Sequence, residues 1–429
     1  MSQPQLNLEK KKLILIGGGN RGNSYTKIGK EIGKFELIAI AEPLKQRREY
    51  IAKLHGVPDE MCFESWEPLL ALGKIADAAI ISTMDKEHYA PAMAAIEVGY
   101  DLLLEKPAAP TIEECRSIEK AAAKKGVNVL VCHVLRYNKF FRAIKKLIDE
   151  EKVGKIINIE HTEHVGDMHY SHSYVRGKWH NAEESSFMLL AKSCHDIDII
   201  QWLIGKECKR VQSFGSLTYF KRENAPEGST ERCYDGCPYI DTCPYSAKTI
   251  YVERKDLGNW LRSSVTRCHE MTDDETVIEA LARTQYGKCV FKCDNNNVVD
   301  HQTVNMEFED DITVTFTMSA FNLGGRRIRI MGTKGMIDAF SGDSMITYQN
   351  LMTQKTEKIS INDMVLGDSI ITGHGGGDSG IMNSLYDLLT GKANVEELSN
   401  IAISVKNHTT VFAAEKSRLE GRVVEISEM

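Results

Sequence analysis

Residues 12–22 read Lys-Leu-Ile-Leu-Ile-Gly-Gly-Gly-Asn-Arg-Gly. Gly17, Gly19 and Gly22 are spaced as G-x-G-x-x-G, a turn that brings the backbone close to a pyrophosphate at the N-terminus of a helix. Asn20 and Arg21 complete that turn. Glu42 follows Gly22 by twenty residues. A carboxylate at that distance accepts hydrogen bonds from both ribose hydroxyls of NAD and repels the 2′-phosphate of NADP. Arg47 and Arg48 stand just beyond it and keep NADP open as the second choice. The bland alternative is a glycine turn with no ligand. Strand, glycine triplet, helix and acid in this order favour a dinucleotide site with NAD as the cofactor.

Two further residues could move protons. Lys106 lies in Glu105-Lys106-Pro107, directly after the apolar run that begins at Asp101. An ammonium at a strand end can hydrogen-bond a substrate hydroxyl and stabilise the alkoxide that develops as hydride leaves. Pro107 biases Lys106 toward an extended backbone. A surface lysine before a helix-starting proline is the competing reading. His195 falls in an apolar segment, Ser185–Gly205, that reads as one helix, on which His195, Ala191 and Asp198 share a face. An imidazole there can serve as general base for an alcohol proton; a core histidine is the alternative.

The elements that must position these residues alternate. Strand runs are expected at Leu13–Ile16, Phe35–Ala41, Ala76–Ser82, Asp101–Glu105 and Val127–His133. Helices are expected at Leu44–His55, Pro91–Val98 and Thr111–Lys125, the last opening on a Thr111/Glu114 capping box. This order predicts a doubly wound parallel sheet in an α/β protein. Ligands would sit at the C-terminal strand ends: the glycine turn, Glu42, Ser82-Thr83, Glu105–Pro107 and His133–Arg136. A chain of 429 residues calls for two domains, placed at 1–135 and 136–429. Its 42% hydrophobic and 26% charged content are those of a globular protein, and a net charge of −7 disfavours nucleic acid or an anionic membrane as partner. No apolar run reaches transmembrane length and Met1–Lys11 is polar, so the expected location is the cytoplasm, where the eleven cysteines would be thiols or metal ligands.

The glycine turn, Glu105-Lys106-Pro107 and the later His195-Asp196-Ile197-Asp198 together resemble the Gfo/Idh/MocA oxidoreductase family, which includes glucose-fructose oxidoreductase and inositol dehydrogenase. The resemblance covers the chain apart from an insertion near residues 221–290. It implies an N-terminal Rossmann domain and a C-terminal α+β domain with an open, mostly antiparallel sheet. Runs with strand character there are Lys155–Val165, Arg210–Phe220, Gln302–Glu307, Ile312–Met318 and Arg326–Met331, with a hairpin turn at Asp310-Asp311. Ser379–Leu419 reads as helices free to return to the first domain. The resemblance further implies catalysis by Lys106 and His195, and a cofactor lined by Ser82, Thr83, His88 and Glu105; each small polar residue could equally cap a helix. The family usually carries an aspartate four residues before the histidine. Here Ala191 stands in its place, so Lys192 or Asp196 would have to compensate. Arg136, Tyr174 and Arg176 are further substrate candidates. A homo-oligomer, dimer or tetramer, is the assembly implied.

Residues 161–180 gather His161, His164, His169, His172 and His180 with Tyr170, Tyr174, Arg176 and Trp179. They fit a strand followed by a sugar-binding loop better than a metal site; a wet surface loop is the third reading. The insertion carries Cys233-x3-Cys237-x5-Cys243, then Cys268, Cys289 and Cys293. A structural metal knuckle with a fourth ligand from the later three is one reading, and packed thiols or a disulfide are the others. Together these features predict hydride transfer between NAD and a secondary alcohol of a sugar, cyclitol or sugar derivative. A redox-neutral glycoside hydrolase using the same cofactor, and a non-catalytic NAD-binding sensor, are the alternatives.

Overall fold

Continuous apolar runs build the first sheet. In the computed structural model, which describes residues 9–365, 374–395 and 398–429, strand β1 (Lys11–Ile16) buries its last four residues completely and β4 (Ala78–Ile81) buries all of its own. Burial on both faces is what a parallel sheet covered by helices requires. With β2 (Phe35–Ala41), β3 (Cys62–Phe63), β5 (Asp101–Leu104) and β6 (Val129–Val131) they form a six-stranded parallel sheet ordered β3-β2-β1-β4-β5-β6. The order reverses between β1 and β4, which opens a crevice above their C-terminal ends. Helices Asn20–Glu31, Lys45–His55, Tyr89–Val98 and Ile112–Lys125 connect the strands. The last is capped by Thr111, whose Oγ1 accepts from the Glu114 N–H at 3.2 Å.

The chain divides into two compact units, Met1–Asn138 with Asp368–Val405, and Lys139–Gly367 with Lys406–Met429. The late segment of the first unit contributes helix Gly377–Leu389. Its Ile381, Met382 and Leu385 are fully buried in one core with Tyr25, Ile28 and Phe35, and Tyr386 meets Phe35 edge to face at 5.8 Å.

The second unit is built on a nine-stranded sheet. Its strands are β7 (Ile156–His164), β8 (Cys208–Ser216), β9 (His301–Phe308), β10 (Thr313–Ser319), β11 (Gly325–Gly332), β12 (Gly335–Phe340), β13 (Met345–Asn350), β14 (Lys355–Ser360) and β15 (Val424–Glu425). They are ordered β14-β13-β12-β11-β7-β10-β9-β8-β15, with only β7 and β10 parallel. Alternation decides the inward face: Val314, Phe316 and Met318 are buried while Thr313 and Thr315 are exposed. Asp310 and Asp311, both at φ +57°, make the turn between β9 and β10.

Three expectations need correcting. Strand β8 ends at Ser216 rather than Phe220, because the Thr218 and Tyr219 N–H groups turn onto Asp300 Oδ2 at 2.8 and 2.7 Å and leave the ladder. The helix expected over Ser185–Gly205 is broken into Met188–Ala191 and Cys194–Ile204. Lys192 leaves the helical path at φ −114° as its ammonium reaches Glu163 at 3.3 Å, so Ala191 and His195 do not share the face of one continuous helix. Finally, the stretch after β7 is not a loop: Asp167–Tyr170 and Ser171–Val175 are helical turns. They are buried through Tyr170, His172 and Tyr174.

Candidate active site

The glycine turn of the first unit admits no side chain at its two ends. Gly17 has φ +93°, and a Cβ there would lie 2.6 Å from the carbonyl of Ser82; a Cβ at Gly22 would lie 2.2 Å from the Gly17 carbonyl oxygen. Ser82 Oγ donates to that same oxygen at 2.7 Å, locking strand end to turn. Helix Asn20–Glu31 then starts at Gly19 without a side-chain cap, the arrangement in which the N–H groups of a first turn meet an anion. Glu42 is buried beside the turn and accepts from the Gly18 N–H at 2.7 Å and the Leu44 N–H at 2.9 Å. Of the two arginines beyond it, Arg48 is committed to the Glu42 carbonyl and to Glu64 at 3.0 Å. Arg47 reaches toward Gly19, with Nη1 3.9 Å from the position of a Cβ there. A close-approach turn, an uncapped helix start and an acid at the next strand end fit a dinucleotide.

Glu105 sits at the end of β5 in a buried network. Its Oε1 accepts from Arg21 Nε at 2.8 Å and from the Tyr25 hydroxyl at 2.6 Å, and its Oε2 accepts from the Lys106 N–H at 2.9 Å. Arg21 also holds Asp378 with both terminal nitrogens, at 3.0 and 2.7 Å, and donates to Tyr25. Burial alone would raise the Glu105 pKa, but the Arg21 and Lys106 charges outweigh it and hold the carboxyl below its ordinary value. Arg21 and Glu105 therefore fix the strand end from beneath, with their side chains turned toward each other. Lys106 itself is half-buried, and its peptide bond to Pro107 is cis. His88 ties the same loop down, with Nδ1 2.7 Å from the Pro107 carbonyl and Nε2 3.2 Å from that of Thr83. Thr83 Oγ1 bonds the Glu87 carbonyl at 2.9 Å. His133 and Arg136 are buried at the end of β6.

In the second unit His195 lies in the first turn of Cys194–Ile204 and is 7% exposed. The next residue, Asp196, is fully buried. His161 Nε2 lies 2.8 Å from Asp196 Oδ1, while Arg326 grips both its oxygens at 2.7 and 3.2 Å. The same Arg326 Nη2 that meets Asp196 Oδ2 lies 2.6 Å from Glu163 Oε2, and Glu163 in turn pairs with Lys192 at 3.3 Å. Burial would raise the Asp196 carboxyl, but Arg326 and His161 hold it far below the carboxylate range. Lys192 and Asp196 thus meet in one network whose other members, Glu163 and Arg326, sequence reasoning missed, while Tyr174 packs against Tyr170 and Trp179. Alternation along β7 carries a signal for Glu163, since it puts Glu163 on the same inward face as His161.

Arg176 is not part of this network. Its guanidinium is buried in the insertion between β8 and β9, bonded to the Lys288 and Tyr245 carbonyls, both at 2.7 Å. Most of the histidines of 161–180 are spoken for as well: His172 lies 3.0 Å from the Tyr251 hydroxyl and stacks on Tyr286 at 5.0 Å, and His180 Nδ1 is 2.8 Å from the Gly177 carbonyl. Among the described residues no group of three His, Cys, Asp or Glu side chains is arranged around a single metal ion. Nor is any helix long and apolar enough to cross a membrane.

Residues 11–133 match the model of an oxidoreductase family with an NAD-binding Rossmann fold, and residues 145–372 match that family's C-terminal alpha/beta domain. The chain belongs to the Gfo/Idh/MocA oxidoreductase family, and its first unit carries the NAD-binding fold. It is 23% identical over 79% of its length to YteT of Bacillus subtilis, a protein named as an oxidoreductase, and covers 80% of it. It is 27% identical to 2,7-anhydro-N-acetylneuraminate hydratase of Escherichia coli over 34% of this chain and 38% of that one. With the scyllo-inositol 2-dehydrogenase (NAD(+)) of Bacillus subtilis it shares 26% identity over 47% of this chain and 56% of that one. Among solved structures, an oxidoreductase from Agrobacterium radiobacter in complex with NAD+, L-tartaric acid and magnesium superposes with a TM-score of 0.68. It covers 98% of this chain and 100% of its own at 15% identity, a likeness of fold.

Proposed function

We propose that this protein oxidises a secondary alcohol of a sugar, cyclitol or sugar derivative with NAD, or reduces the corresponding ketone. The observation that carries the reading is the anchoring of Lys106: Glu105, itself held by Arg21 and Tyr25, accepts the Lys106 backbone N–H at 2.9 Å at a strand end of the NAD-binding fold. NAD, when bound, supplies the hydride acceptor. Lys106 holds the substrate oxygen and stabilises negative charge on it, and His195 takes the hydroxyl proton. The Glu163–Lys192 pair offers a carboxylate and an ammonium where the family aspartate is replaced by Ala191, and orients the hydroxyls beside the reacting carbon. The relative named above as an inositol dehydrogenase supports this substrate class, and the one named as an oxidoreductase supports the reaction type. A dimer or tetramer is the expected assembly.

The test is the absorbance of reduced nicotinamide with NAD and a panel of sugars, cyclitols and glycosides. We expect turnover with one substrate class, and a fall in kcat of about 10²–10⁴-fold in Lys106→Ala with NAD affinity retained. Hydrolysis of a glycoside without net NADH would overturn the dehydrogenase reading in favour of a redox-neutral one. Tight NAD binding with no turnover of any kind would leave a sensor.

A further inference from the structure

The insertion between β8 and β9 folds around four cysteines. Residues 231–233 and 287–289 run side by side, bridged at Arg232 and Lys288. The Cys233 N–H donates to the Gly287 carbonyl and the Cys289 N–H to that of Glu231, both at 2.9 Å. Tight turns then return Cys237 and Cys243 to the same place, closed by Ile240 N–H to Cys237 O at 3.2 Å and Cys243 N–H to Tyr239 O at 2.8 Å. The result is one cavity lined by Cys233, Cys237, Cys243 and Cys289 together with Arg176.

Arg176 is the second, independent observation. Its side chain is 1% exposed, and its Nη1 has no hydrogen-bond partner. Its other nitrogens meet two carbonyls and, at 3.7 Å, the Cys233 sulfur. No carboxylate among the described residues pairs with it. A buried guanidinium without a counter-charge is costly, and beside the neutral Tyr251 hydroxyl the groups near it are thiols that would carry negative charge as metal ligands.

We propose that Cys233, Cys237, Cys243 and Cys289 ligate an iron–sulfur cluster in this cavity, with Arg176 as its buried counter-ion. A cluster held by four thiolates is a dianion in its oxidised form. It therefore supplies the charge that Arg176 lacks. A single zinc ion would draw four sulfurs to about 2.3 Å from one point. No three of these groups converge in that way among the described residues, whereas a cluster spreads its thiolates over several irons. The Cys237-Pro238 and Cys243-Pro244 steps share the Cys-Pro step of bacterial cluster-binding runs. The Ala247 N–H points at the Cys233 sulfur at 3.5 Å. Binding releases four thiol protons and involves no electron transfer to substrate; the cluster clamps the two ends of the insertion together. Cys293, whose Sγ turns to the Cys289 carbonyl at 3.4 Å, and Cys268 lie outside the ligand set.

The experiment is metal and acid-labile sulfide analysis of the full chain purified without oxygen, with electron paramagnetic resonance after dithionite reduction. We expect iron and sulfide in equal amounts, near-complete loss of both in Cys237→Ser, and retention in Cys293→Ser. Zinc without sulfide would replace the cluster with a tetrathiolate ion and overturn the proposal. So would a metal-free protein, with its thiols free or joined in disulfides. The content of the unaltered protein decides by itself should Cys237→Ser fail to fold. None of these outcomes depends on the dehydrogenase reading, which the nicotinamide assay tests separately.

Discussion

Arg326→Met removes the cation that two buried carboxylates share. The side chains of Asp196 and Glu163 are 0% and 2% exposed, and Arg326 hydrogen-bonds the first and forms an ion pair with the second. The variant leaves Asp196 facing only His161, while Glu163 keeps Lys192 at 3.3 Å. Breaking a buried pair by deleting one partner costs about 3–5 kcal/mol, which at roughly 2–4 °C per kcal/mol becomes a fall of roughly 6–20 °C in the melting temperature of the second unit. In the wild type the Asp196 carboxyl titrates below its unfolded value, so its contribution is present above about pH 4 and is lost as pH falls through the acid range. Without Arg326 that contribution shrinks, so the variant loses less stability than the wild type on acidification. Differential scanning calorimetry at neutral pH and through the acid range reads both effects. A loss under about 1 kcal/mol at neutral pH, or an unchanged acid slope, would refute the reasoning by showing that water solvates Asp196.

Glu42→Ala removes a carboxylate that accepts two N–H groups and faces the ribose in the reading above. NAD affinity measured by calorimetry should fall about 10–100-fold, from the roughly 1.5–3 kcal/mol of a charged hydrogen bond, and preference over NADP should relax. Gly17→Ala forces a Cβ to 2.6 Å from the Ser82 carbonyl at φ +93°; we expect more than about 1–3 kcal/mol of strain and NAD binding lost, and wild-type affinity would contradict the close packing. His172 is buried neutral, its pKa pushed down to about 3 by burial and then by Arg176. The unfolded chain therefore binds a proton that the folded one refuses, and stability falls as pH drops from about 6.5, by at most about 1.4 kcal/mol per unit. His172→Phe should flatten that slope in urea titrations.

What the sequence made legible was local. The apolar runs of β1, β2 and β4, the glycine spacing and the Thr111 cap are each set by residues within a few positions of one another, and so the parallel sheet followed. Asp310-Asp311 was readable for the same reason. Long-range pairings were not. Arg21 reads as a turn residue, yet its partners are Glu105 and Asp378, far along the chain. Arg176 reads as a surface sugar ligand and is instead the buried guanidinium of the insertion, because nothing near it in sequence announces the carbonyls it bonds. The break at Lys192 coincides with its ion pair to Glu163 on another element, a partner that helical periodicity does not record.

The ion triad of Arg21, Glu105 and Asp378 also sets a schedule for synthesis. The first unit draws helix Gly377–Leu389 from beyond the strands β7–β14. At roughly 5–20 residues per second, the ribosome needs roughly ten to fifty seconds after Asn138 to deliver that helix. Throughout this interval the face formed by Tyr25, Ile28 and Phe35 lacks its cover, and Arg21 lacks one of its two carboxylates. The nascent NAD-binding unit thus exposes that apolar face while the second unit emerges, and a fragment cut at residue 138 would keep that unfinished surface permanently.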